Sequence, residues 1–378
     1  MTSRFLLTCH DAGGTIPPAL ALAQALRSRG YPVSMLSQPS VRERAEAAGC
    51  RFTAFSTVAD YRRDTAIEEQ VAVAVPVLTG RSVGDDLLAL VEAQAVDVVV
   101  VDANLAGVLA AAETLAQPSV VLLHSMYATF VETWFAHIWP LLGTAVNETR
   151  GAYGLEPAGS WSALFDGHDR LLSVVPSMFE APVVGASADV CHHGFLVPEV
   201  LPVAETPGFP AGDDPAVLVG LSTTYQHQEP LLRSILEALG SLEVRGLVTT
   251  AGHGDLATSS IPANVAVETY VAHSLVLAHT DVMVTHGGLG SLAAALSHGV
   301  PVVCAPIGRD QPLNADRVAA LDAGLALAVD PTAEELARAV EAVLAQPSYR
   351  LGAQAIAAAS RSEGGAVAAA AELASLVG

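Results

Sequence analysis

Residues 281 to 317, DVMVTHGGLGSLAAALSHGVPVVCAPIGRDQPLNADR, leave few folds open. Asp, Glu, Lys and Arg are absent from 282 to 308, which on its own suggests a membrane span. Five glycines, two prolines and two histidines interrupt that run. It resolves into a buried strand (Val282, Met283, Val284), a break at His286-Gly287-Gly288, a helix from about Leu289 and a second strand, Val300 to Ala305. A polar loop, Gly308 to Asn314, follows. Strand, helix, strand is the unit of an α/β sheet, so no membrane segment is expected. The Gly-rich break leaves backbone N–H groups at the positive end of a helix dipole, a ready site for phosphate. Taken singly, the same break also reads as an ordinary tight turn.

The rest of the chain extends that pattern. Arg4 to Thr8 reads as a strand, Pro18 to Arg29 as a helix with Leu20, Leu22, Ala23 and Leu26 on one face, and Val33 to Leu36 as the next strand. Val96 to Val101 is almost wholly apolar, as expected of a parallel strand covered on both faces. Asp102, a helix through Ala116 and the strand Ser119 to Leu123 come next. From Val197 to Pro215 five prolines fall in nineteen residues, the composition of a linker. A second set follows: strand Ala216 to Gly220, helix Pro230 to Leu239, strands Arg245 to Thr249 and Val265 to Val267, then the opening stretch. The alanine-rich tail, Ala353 to Ala374, reads as helix. The expected organisation is a domain over 1–200, a linker over 201–215, a second domain over 216–352, and a C-terminal helix over 353–378 placed to pack back on the first domain. Doubly wound α/β domains bind ligands beyond the C-terminal ends of their strands, and two in tandem imply a cleft between them.

Composition excludes several classes. The 378 residues carry 18 Lys and Arg against 39 Asp and Glu, a net charge of -21, so nucleic acid and anionic membranes are not expected partners. Cys9, Cys50, Cys191 and Cys304 are scattered, as for reduced thiols in a cytoplasmic protein, and the apolar part of MTSRFLLTCHDAGG is too short for a signal peptide. Cys191-His192-His193 sit in an apparent strand, where neighbours face opposite sides, so no metal is expected there. HExxH, GxSxG and P-loop motifs do not occur, which removes support for hydrolase and kinase readings.

HGGLGSLAAALSHGVPVVCAPIGRDQPLNADRV resembles the donor-binding signature of the GT-B glycosyltransferases, specifically the family 1 enzymes that decorate bacterial natural products. VLVGLSTTYQHQ (Val217 to Gln228), RGLVTTAG (Arg245 to Gly252), VETYVAHSLVLAHTD (Val267 to Asp281) and IPPALALAQALRSRGYPV (Ile16 to Val33) are similar to further family segments at matching intervals. The resemblance implies an α/β GT-B fold of two Rossmann-like domains facing a central cleft. It places the donor diphosphate on His286, Gly287, Gly288, Gly290 and Ser291, with Ser222 and Thr223 adding donors. Tyr270 and Val271 flank the nucleotide base, and Asp310 and Gln311 read the sugar hydroxyls. The plant relatives hold the ribose with a Glu three residues after the Ser; here that position is Ala294, which favours a dTDP-sugar over a UDP-sugar.

For catalysis the resemblance assigns a base after the first strand and an orienting Asp after the fourth. Asp102 matches the Asp, whereas Thr15 stands where the family has His. His10 becomes the candidate base, with Asp102 fixing its tautomer. Asp11, His124 and an intrinsically acidic acceptor stay open as alternatives, and Asp102 also suits a helix N-cap. His124, Tyr127, Phe130 and Trp134, with Phe135 and Trp139, fall where the family binds its acceptor, though such a cluster equally builds a core. The expected activity is therefore an inverting, metal-independent and cofactor-free transfer of a sugar, a deoxysugar by preference, from a nucleotide-diphosphate sugar to an apolar aromatic or polycyclic acceptor. A homodimer is compatible with this reading. A GT-B sugar-nucleotide epimerase and an inactive nucleotide-binding helper of a partner transferase are the alternatives.

Overall fold

The computed structural model describes residues 4–58, 67–181, 190–200, 208–223, 227–252 and 261–377, with the side chains of 67–71, 132 and 134 outside that set. The chain divides into two compact units, Met1–Glu199 with Ser362–Gly378, and Val200–Arg361. The first unit runs β1 (Phe5–Thr8), α1 (Ile16–Ser28), β2 (Val33–Ser37), α2 (Arg42–Ala47), β3 (Arg51–Ala54), α3 (Ile67–Thr79), α4 (Arg81–Ala93), β4 (Val98–Asp102), α5 (Ala106–Glu113), β5 (Ser119–Leu123), α6 (Phe135–Ala152), β6 (Arg170–Ser173) and β7 (Val190–His192). A π-helical segment, Ala128–Trp134, leads into α6. The second unit runs β8 (Ala216–Gly220), α7 (Glu229–Gly240), β9 (Arg245–Thr249), β10 (Val265–Glu268), β11 (Val282–Thr285), α8 (Leu289–Ser297), β12 (Val302–Cys304), α9 (Gln311–Ala320), β13 (Gly324–Ala326), α10 (Ala333–Ala345) and α11 (Pro347–Ser362). Then α12 (Gly365–Ser375) returns to the first unit.

Each unit holds one parallel sheet, ordered β3-β2-β1-β4-β5-β6-β7 in the first and β10-β9-β8-β11-β12-β13 in the second. Strand order reverses at β1/β4 and again at β8/β11, the points where loops diverge and a crevice opens. The central strands are buried along their whole length, and Val98, Val99, Val100 and Val101 of β4 fit this, since helices cover both faces. Leu6, Val99, Leu109, Val121 and Trp161 belong to the core of the first unit, and Val219, Leu236, Val284, Val303 and Val340 to that of the second. A capping box of Thr332 and Glu335 starts α10.

Several elements differ from their expected extents. The alanine-rich tail is two helices, because Gly364 and Gly365 take φ of 87° and 58° between α11 and α12. The Gly365 N–H donates to the His193 carbonyl at 2.6 Å. On α12, Glu372 meets His193 Nε2 at 2.5 Å and Arg170 Nε at 3.5 Å, while Glu363 accepts the Ser177 N–H at 2.9 Å. The preceding α11 stays with the second unit, where Arg350 donates to the Asp281 carbonyl at 2.7 Å, so that unit extends to 361 rather than 352. Of the expected linker, 201–207 lie outside the described residues.

Candidate active site

At the β1/β4 reversal, Asp102 closes β4 with its side chain 2% exposed. Its Oδ2 accepts the His10 backbone N–H at 3.2 Å, and its Oδ1 accepts the Asn104 N–H at 2.9 Å. His124, directly after β5, places Nδ1 3.4 Å from the same Oδ1. Asn104 Nδ2 lies 3.0 Å from His124 Nε2. With Nδ1–H directed at the carboxylate, Nε2 carries the lone pair and faces the Asn104 amide. His10 is 4% exposed. Thr15 is fully engaged in the loop, its hydroxyl donating to the His10 carbonyl and accepting the Ala12 N–H at 3.3 Å. Asp11 is spoken for by Arg44 at 2.8 Å and Ser40 at 2.9 Å. Among the alternatives opened by the sequence, His124 sets its ring beside Asp102. Parallel pairing of β4 with β5 brings the two together, since Asp102 lies opposite Leu122.

The aromatic cluster is largely core. Tyr127 and Phe130 are 6% and 4% exposed, Phe130 meets Phe135 at 4.5 Å, and Phe135 stacks on Trp161 at 3.8 Å. The edge-on contact of Phe130 with the His124 ring, at 5.5 Å, connects this apolar wall to the Asp102 cluster. Trp134 lies in the π-helical segment, but its side chain is outside the described residues. Glu180, which the sequence reading passed over, accepts the Tyr127 N–H at 2.9 Å and the Ala128 N–H at 3.4 Å and so caps that segment. Burial pushes the Glu180 carboxyl up, against the pull of those N–H groups.

At the β8/β11 reversal, His286 follows β11 and α8 begins at Leu289. Burial pushes the His286 imidazole down to about 4; the Gly220 backbone opposes this, and Arg309 and His273 add to it. The ring is neutral at pH 7, and offers a hydrogen bond instead of a charge. Gly287 has φ of 84°, and a Cβ at Gly288 would collide with His286 Nε2. Ser291 and Leu292 N–H both return to the Gly288 carbonyl, so the N–H groups of Leu289 and Gly290 precede the first intrahelical acceptor and face outward. Across the reversal, Ser222 is held by Gln228, which accepts the Ser222 N–H at 3.0 Å and donates to its carbonyl at 3.1 Å. Thr223 is exposed, and 224–226 lie outside the described residues. His273, pushed down to about 4 by burial, lies 3.1 Å from Thr249 Oγ1. That hydroxyl donates to Val219 O at 2.9 Å and so accepts from the His273 ring. Tyr270 is 71% exposed, whereas Val271 is buried.

The loop before α9 is tied internally. Gln311, 2% exposed, accepts the Ile307 and Gly308 N–H groups at 2.8 and 3.1 Å, so the amide oxygen of this residue shapes the loop. Asp310 is half-buried at the start of α9, with Oδ2 accepting from Asn314 Nδ2 at 2.9 Å. Among the described residues no group of three or more His, Cys, Asp or Glu is placed to hold a metal ion, and no helix is long and apolar enough to cross a membrane.

Two doubly wound parallel sheets, each with polar side chains gathered at its reversal, define the GT-B architecture. The crystal structure of the glycotransferase of kitacinnamycin superposes with a TM-score of 0.82 at 23% identity, covering 100% of this chain and 99% of that one. That of glycosyltransferase VinC in complex with dTDP gives 0.75 at 20% identity, covering 99% of each. In sequence, the chain is 27% identical to 4'-demethylrebeccamycin synthase of Lentzea aerocolonigenes over 93% of its length and 94% of that protein's. Residues 233–376 match the family described as erythromycin biosynthesis protein CIII-like, C-terminal domain. The chain thus has the GT-B fold, and in sequence it is similar to glycosyltransferases of the natural-product type.

Proposed function

We propose that the enzyme transfers a sugar, with inversion, from a dTDP-sugar to a hydroxyl of an apolar aromatic or polycyclic acceptor. The observation that carries the donor half is the cradle at the β8/β11 reversal: neutral His286, Gly287 at φ 84° and the N-terminus of α8, with the Arg309 charge near enough to act on His286. Backbone dipoles and a neutral ring neutralise a leaving diphosphate without a basic patch, which suits a chain of net charge -21. Thymidine is favoured because Ala294 offers no carboxylate to a ribose 2′-hydroxyl. The dTDP held by the VinC structure agrees with that choice for a relative of the same fold.

The acceptor half rests on Asp102, Asn104, His124 and Phe130. Asp102 fixes Nδ1–H of His124, and the acceptor hydroxyl replaces the Asn104 amide on Nε2. His124 takes the hydroxyl proton as the acceptor oxygen attacks C1, and the C1–O bond to the diphosphate breaks with its electron pair on the phosphate oxygen. His124 is assigned the base role because its ring lies beside the Asp102 carboxylate and edge-on to Phe130. A cytoplasmic setting fits the buried, unpaired thiols of Cys9, Cys50 and Cys304.

A thermal-shift panel of dTDP, UDP and GDP tests the donor reading. Stabilisation by dTDP above the other two is expected. Preference for UDP would remove the thymidine argument, and no shift with any nucleotide would remove the donor site.

A further inference from the structure

Asn314 lies one turn into α9 and is fully buried. Both hydrogens of its side-chain amide are used, one to the Gly287 carbonyl at 3.1 Å and one to Asp310 Oδ2 at 2.9 Å. Reversing the amide would turn its oxygen against a carbonyl and a carboxylate, so the assignment of nitrogen and oxygen is fixed by these two acceptors. The remaining atom, Asn314 Oδ1, is buried with no hydrogen-bond partner among the described residues. Stability alone does not select a buried amide with half of its capacity unmet.

We infer that Asn314 is the positioning residue that couples the diphosphate turn to the sugar-reading carboxylate of the donor site. The Gly287–Gly288 peptide is trans, so its carbonyl and its N–H point in opposite directions. Drawing the Gly287 carbonyl inward to Asn314 turns the Gly288 N–H outward, toward the start of α8. The other amide hydrogen fixes Asp310 Oδ2, which leaves Oδ1 as the oxygen available to a sugar hydroxyl. A single side chain thus sets the spacing between a diphosphate donor and a hydroxyl acceptor, the two groups that flank C1 of a bound donor.

This inference rests on the donor reading above, and binding measurements separate the two. Calorimetry is run with whichever of dTDP and UDP the wild type binds, and with the corresponding nucleotide-glucose. For Asn314→Ala, affinity for the nucleoside diphosphate is expected to fall about tenfold, and the ratio of glucosylated to unglucosylated Kd to rise about tenfold, each the worth of one hydrogen bond. Asp310→Ala is expected to raise the ratio alone, and the double variant to raise it no further than either single change. An unchanged nucleotide affinity in Asn314→Ala overturns the inference, as does a ratio that rises additively in the double variant. Should Asn314→Ala not fold, Asn314→Asp serves: its carboxylate opposes both acceptors, and its affinity relative to wild type is expected to recover from pH 8 to pH 5.5 as the protonated form donates. A flat relative profile overturns the coupling. If the wild type binds no nucleoside diphosphate, the donor reading itself falls.

Discussion

Asp102 holds three neighbours on one carboxylate: the His10 N–H, the Asn104 N–H and the His124 ring. Two backbone hydrogen bonds fix the oxygens before the imidazole is considered, so the carboxylate is an orienting group with little freedom to move. Removing the charge by Asp102→Asn, or the ring by His124→Ala, is expected to lower kcat by about 10²- to 10⁴-fold, with donor affinity kept within about twofold. Because the two act as a unit, the double variant should be no slower than the worse single one. Initial rates of transfer at saturating donor decide it: full activity in His124→Ala together with loss in His10→Ala would move the base to His10. The sequence singled out Asp102 through the resemblance, and the structure buries it at the end of β4. The sequence did not make the partner legible. His124 follows a different strand, and only the parallel register of β4 with β5 brings the two together. Thr15 stands where the resemblance places the base, and its hydroxyl serves the loop that carries His10.

At the scale of elements, the two segments nearest the proposed donor and acceptor sites are both helix starts, and each depends on one residue. The π-helical segment is capped by Glu180 through the Tyr127 and Ala128 N–H groups. Loss of that cap in Glu180→Ala should cost about 1 kcal/mol and lower Tm by about 2–4 °C, read by calorimetry. On the acceptor reading it should also raise the acceptor KM while leaving nucleotide affinity unchanged, and a parallel loss of nucleotide affinity would show that the segment serves something other than the acceptor. The start of α8 depends on Gly288, where a Cβ would strike His286 Nε2. Gly288→Ala is therefore expected to weaken dTDP at least about tenfold in calorimetric titration, since the ring or the turn must move. Unaltered affinity would mean that the diphosphate sits elsewhere. Strands such as Ser119–Leu123 and Ala216–Gly220 were legible to the residue, because full burial favours a mostly apolar run. The break at Gly364 and Gly365 was not, since alanine propensity favours helix across it and the decisive bond comes from distant His193. The capping role of Glu180 was hidden likewise, 52 and 53 residues from the N–H groups it accepts.

For the whole molecule, the two units carry unequal sets of perturbed groups, and acid should separate them. His273 and His286, both in the second unit, are pushed down to about 4 by burial. In the unfolded chain each takes up a proton near pH 6.5. Their contribution is therefore complete above pH 6.5 and is lost as the pH falls from there toward 4, with a slope of up to about 1.4 kcal/mol per pH unit for each ring. Among its described residues the first unit has one such ring, His168, also lowered to about 4 by burial. It also has Glu180, whose raised carboxyl works in the opposite sense: its protonated form is favoured by the fold, so acidification relieves a cost. Two losses in one unit against a loss partly offset in the other predict that the second unit unfolds first between pH 6.5 and 4.5. The distribution of tryptophan makes this measurable without labels, because Trp134, Trp139 and Trp161 all belong to the first unit. Circular dichroism sees both units, whereas tryptophan fluorescence sees one. Urea or thermal transitions by the two probes are expected to coincide near pH 7.5 and to part near pH 5, circular dichroism leading. A ligand held by the second unit should close the gap by mass action, so saturating dTDP at pH 5 should restore coincidence. If fluorescence leads instead, the first unit is the acid-labile one and the burial of His273 and His286 is not what governs the acid response.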